Sequence, residues 1–64
     1  MGQYFYSYQG YIGGVKAMCG HNVKELNNDP DKAAIEAVQA VRNSNDNQSI
    51  DVHLLALNKI NGDK

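Results

Sequence analysis

The side chains able to do chemistry in this 64-residue chain are few: His21, His53, Cys19, Ser7, Lys16 and the four tyrosines. The two histidines are the only groups that ordinarily exchange protons near pH 7. His53 stands two positions after Asp51, a spacing at which a carboxylate on the same strand face orients an imidazole, yet no nucleophile accompanies the pair. Cys19 and His21 are related in the same way and lack the third member of a nucleophilic triad. Ser7 sits in an aromatic run with nothing beside it to activate its hydroxyl. Both histidines therefore read as strand or surface residues, and Cys19 as a buried structural cysteine. No cofactor or metal motif is present, and the chain reads as a non-enzyme.

Binding chemistry has more to work with. Tyr4, Tyr6 and Tyr8 recur at period two, presenting three aromatic bodies with polar tips on one face of a strand. Sheet core or subunit interface is the first reading of that stripe, and a protein-recognition surface the second. Base stacking on single-stranded nucleic acid comes last, because the basic groove it needs is missing. Gly10, Gly13 and Gly14 precede Lys16 without the spacing of a P-loop, and ordinary hairpin glycines account for them. Exposed amides beside a lysine and tyrosines would also hold a small anionic aromatic ligand such as a nucleotide. The candidate ligand-binding set is therefore Tyr4, Tyr6, Tyr8, Gly13, Gly14, Lys16 and His21.

These residues need elements to position them. Residues 3–9 predict a strand from aromatic content and alternation, with Phe5 and Ser7 on the face opposite the tyrosines. Tyr11-Ile12-Gly13-Gly14 reads as a hairpin connection or a bulged strand start. Residues 15–26 allow two readings. Val15, Met18, Cys19, Val23 and Leu26 line a helical stripe, while Val15, Ala17, Cys19, Val23 and Glu25 share one strand parity with a possible bulge at Gly20. Gly20 would cost a helix about 1 kcal/mol, and the tyrosine strand needs a neighbour, so a strand is expected.

Asn27-Asn28-Asp29-Pro30-Asp31 is the clearest punctuation, with Asp29 as N-cap and Pro30 in the first helical position. Ala34, Ala37, Val38 and Val41, with Ile35 beside them, predict an amphipathic helix that ends in the polar cluster 43–47. Residues 50–60 predict a last strand, with Ile50, Val52, Leu54 and Ala56 on one face and Asp51, His53, Leu55, Leu57 and Lys59 on the other. A helix ending near Gly62 is the competing reading. Residues 62–64 read as a frayed end. The expected architecture is one α+β domain over 1–64: a β-β-α-β order with one helix packed on a three-stranded sheet.

A chain of this size buries only about 60% of the surface its unfolded form exposes. Fourteen of its residues are Leu, Ile, Val or Phe, and one helix covers one face of a sheet. A lone cysteine excludes an internal disulfide, so self-association is the expected remedy. Six basic and seven acidic residues give a net charge of −1, with neither the basic footprint of nucleic-acid binding nor a dense acidic run. No stretch is apolar enough to span a membrane, and Met1-Gly2-Gln3-Tyr4 lacks the marks of a signal peptide; a cytoplasmic location is expected.

Tyr4-Phe5-Tyr6-Ser7-Tyr8, a glycine-bearing second segment, a helix and a final apolar strand together resemble a group of short phage and bacterial proteins that open with a Tyr-Phe-x-Ser-Tyr strand. Ile12 stands where those proteins often carry an aromatic residue beside the glycine. The resemblance implies this topology and, by analogy, a phage accessory or anti-defence role. The functional expectation is a homo-oligomeric binding module that sequesters a nucleotide-like ligand, or else an inhibitor or adaptor that engages a host protein through the tyrosine strand.

Overall fold

The computed structural model describes residues 1–61, so the expectation for residues 62–64 lies outside the described residues. The chain forms β1 (Gly2–Ile12), β2 (Val15–Leu26), α1 (Pro30–Ser44) and β3 (Asp51–Asn61). The strands make one antiparallel sheet in the order β2-β1-β3, with the tyrosine strand in the centre and α1 packed on one face. Both ambiguous segments are strands.

The β1–β2 hairpin closes through Gly13 and Gly14, with φ of 58° and 80°. Two consecutive positive φ values match the turn whose twist suits paired strands, and only glycine adopts them without strain. α1 starts as the sequence predicts. The Asp29 carboxylate accepts from the Asp31 backbone N–H at 3.0 Å, and Pro30 occupies the first turn. Replacing Asp29 with Ala is expected to cost about 1 kcal/mol, read as a lower urea midpoint at unchanged slope. The helix is tied at its middle and its last turn: the Asn27 N–H donates to Glu36 Oε1 at 2.7 Å, and Arg42 Nε donates to the Ile50 carbonyl at 2.8 Å.

Tyr4 and Tyr6 are each 1% exposed and form the core with Leu26, Ala33, Ala37 and Val41. The Tyr4 hydroxyl satisfies its polar tip by donating to the Asn28 carbonyl at 3.1 Å. The buried helix stripe is Ala33, Ala37 and Val41, rotated from the expected one; Ile35 is 70% exposed. The reason is steric. Large tyrosine rings on the sheet leave room only for the line of small side chains at i and i+4.

β3 departs from strict alternation. Tyr8 faces Leu54, Ser7 faces Ala56 and Tyr6 faces Leu57, so Leu55 is an extra residue in a bulge. Leu57 thereby joins Val52 and Leu54 against the core, reversing the expected faces of Ala56 and Leu57. A second irregularity lies between the partners of Gln3 and Tyr4. In β2 the irregularity is at Ala17, beside the Gly10/Tyr11 step, and Gly20 pairs regularly with Tyr8.

Candidate functional site on the open sheet face

Opposed residues of an antiparallel ladder point to the same side of the sheet. The side away from α1 therefore carries three cross-strand rows: Val23–Phe5–Asn58, His21–Ser7–Ala56 and Cys19–Gln9–His53. β1 supplies the central column of Phe5, Ser7, Gln9 and Tyr11.

Two aromatic–imidazole pairs occupy this face. The rings of Phe5 and His21 lie 6.0 Å apart at 32°, and those of Tyr11 and His53 lie 4.9 Å apart at 59°. His53 Nε2 is also 3.1 Å from Asp51 Oδ2, and the Tyr11 hydroxyl donates to Gln9 Oε1 at 3.0 Å. The Asp51–His53 relation read from spacing thus exists, on the surface and with an aromatic neighbour. Val23 is 48% exposed on the same face, and the bulge leaves Leu55 60% exposed.

Chemically, this arrangement stacks planar groups and offers amide and hydroxyl hydrogen bonds between them. Ser7 and His21 stand directly opposite each other on this face. Cys19 and His53 flank Gln9 from opposite strands, about 10 Å apart at two strand spacings. Among the described residues no group of three His, Cys, Asp or Glu side chains comes together to hold a metal.

The seven residues expected to bind a ligand do not form one site. Tyr4 and Tyr6 are core, and Tyr8 is half-buried on the helix side, its hydroxyl over the position where Gly20 lacks a side chain. Gly13, Gly14 and Lys16 are exposed at the hairpin end, and His21 lies exposed on the open face. The stripe is core because α1 lies on it, in keeping with its first reading as sheet core, and Tyr4 and Tyr6 therefore leave the ligand-binding set. Cys19, expected to be buried, is exposed. The reading missed Phe5, Gln9, Tyr11 and His53 as companions of His21; the signal was the odd-numbered phase of β1, visible in the same alternation.

A shallow groove of about 630 Å³ runs between β2 and α1, lined by Lys24, Leu26, Glu36, Gln39 and Asn43. α1 packs more closely on β3 than on β2, which leaves Asn22 and Lys24 exposed on the helix side of β2. Among the described residues no helix is long and apolar enough to cross a membrane. No protein-family model, curated protein or solved structure matches the chain.

Proposed function

We propose that this protein is a small non-enzymatic binding module that acts as a homo-oligomer and sequesters a planar, nucleotide-like ligand. One observation carries the reading: the sheet face left bare by α1 presents the Phe5–His21 and Tyr11–His53 pairs with Ser7 and Gln9 between them. Aromatic and imidazole rings supply stacking surface, and Gln9 and Ser7 supply the directional contacts that distinguish one heterocycle from another. Sequestration suits a face built of stacking groups with polar side chains between them. It is also the form that an anti-defence accessory protein of a phage would take, working in the cytoplasm without cofactor, nucleic acid or membrane. Titration calorimetry against a panel of mononucleotides and cyclic dinucleotides tests this. Binding by at least one member is expected, weakened at least tenfold in Phe5→Ala; silence across the panel at micromolar protein would overturn the reading.

The second reading is an inhibitor or adaptor that engages a host protein. The exposed apolar and aromatic side chains of the open face favour it, since aromatic residues are enriched at protein interfaces. Phe5, Tyr11, Val23 and Leu55 would then make the contact in place of the buried tyrosines. A Phe5-dependent host protein recovered by pull-down, together with a blank nucleotide panel, selects this alternative.

A further inference from the structure

The two edges of the sheet are not equivalent. β3 is interrupted twice by register shifts, a device that makes an edge a poor template for further pairing. β2 pairs with β1 without interruption from Met18 to Leu26, opposite Gly10 to Gly2, and its other edge is unpaired for the whole of that stretch. Cys19, His21, Asn22, Val23, Lys24 and Glu25 in it are exposed. One of its outward amides is visible: the Val23 N–H donates to the side-chain oxygen of Asn22 at 2.9 Å. By alternation the N–H groups of Cys19, His21 and Glu25 point the same way.

We infer that a second copy of this chain pairs with the β2 edge, antiparallel and centred on Asn22, and that the ligand-binding face is completed by both copies. The register follows from the bulge at Ala17. Only a ladder centred on Asn22 pairs the entire regular stretch with itself: Met18 with Leu26, Cys19 with Glu25, Gly20 with Lys24, and His21 with Val23. No like charges oppose each other in it. A ladder centred on Gly20 would set Lys24 against Lys16, and one centred on His21 would set Leu26 against Lys16 and pair the two imidazoles. The two-fold axis then stands normal to a six-stranded sheet, with both helices on one side.

On the other side the axis joins the two open faces. Phe5 and Val23 of one copy continue into His21 and Ser7 of the second, so two Phe5–His21 pairs flank the axis and neither copy alone holds the composite surface. The ligand class this fits is a planar heterocycle, or two joined ones, lying across the junction. The inference rests on the self-association in the proposed function and is independent of the ligand's identity.

The single exposed cysteine makes the geometry measurable. In this register the two copies of Cys19 are offset by six residues along the ladder, about 20 Å between backbones. Spin-labelling Cys19 and measuring the dipolar distance on the full chain is expected to give one concentration-dependent distance near 2–2.5 nm. In the unlabelled protein, the amides of Cys19, His21, Val23 and Glu25 are expected to gain exchange protection together as concentration rises. A Cys19→Ser, Asn22→Cys variant is expected to oxidise to a covalent dimer, because residues meeting in a non-hydrogen-bonded pair lie about 4.5 Å apart at Cα. A dimer with another distance and no protection of those amides overturns this interface and leaves the binding module standing. A monomer at millimolar concentration overturns the interface and the homo-oligomer with it; a blank nucleotide panel on a correctly spaced dimer removes only the ligand.

Discussion

Tyr6→Ala is expected to lower the unfolding midpoint by a large fraction, whereas Phe5→Ala, one residue away, is expected to lower it far less. The Tyr6 side chain is 1% exposed beneath α1, and its ring lies 6.1 Å from that of Tyr8. Truncating a buried aromatic to Ala removes its transfer free energy and leaves a cavity, at a cost of about 3–5 kcal/mol. A chain of this length has roughly 3–10 kcal/mol in total, so the variant loses between about a third of its stability and all of it. Phe5 is only half-buried on the uncovered face and packs beside an exposed histidine, so its removal opens no enclosed cavity. Urea titrations followed by circular dichroism at one fixed protein concentration check the pair, since association would itself shift the midpoint. The opposite order of effects would mean that α1 does not cover the tyrosine face, and the whole assignment of a bare binding surface would fall with it.

Gly10→Val is expected to cost about 1–3 kcal/mol by overpacking, while Gly10→Ala costs distinctly less. Gly10 is buried in the central strand, paired with Met18 on one side and Val52 on the other. A Cβ there would lie 2.7 Å from Met18 Cγ and 3.0 Å from Ile50 Cγ2. The thioether side chain is unbranched and gives way readily, so a single methyl is accommodated by its movement. Branching at Cβ drives a second group toward Ile50, which is fully buried and whose carbonyl is held by Arg42. The displaced Ile50 would disturb the start of β3 and the end of α1 together. Equal midpoints for Gly10→Val and the unsubstituted protein, at equal denaturant slope, would show that the two flanking side chains are not packed as described.

The odd and even phases of β1 were both legible, yet the tyrosines of the candidate set lie on the phase that α1 covers. Tyrosine is equally suited to a core and to a contact surface, because it carries a large apolar ring and a polar tip. Composition therefore favoured the stripe with more tyrosines, and that stripe is the one α1 buries. Phe5, Gln9 and Tyr11 looked incidental until the pairing set His21 and His53 beside them. The neighbours across a sheet depend on register, and two single-residue bulges in β3 shift it where no glycine or proline marks them.

Local chemistry settled what local chemistry can: an aromatic first strand, a break at the glycine stretch after it and a helix beginning after Asp29, each specified by backbone preferences within a few residues. Tertiary packing decided which side of β1 is covered, which helix stripe is buried and which strand edge stays regular. Those outcomes depend on contacts between segments far apart in the chain. There, the volume of two tyrosine rings against three small helix residues outweighs the apolar periodicity that either segment shows on its own.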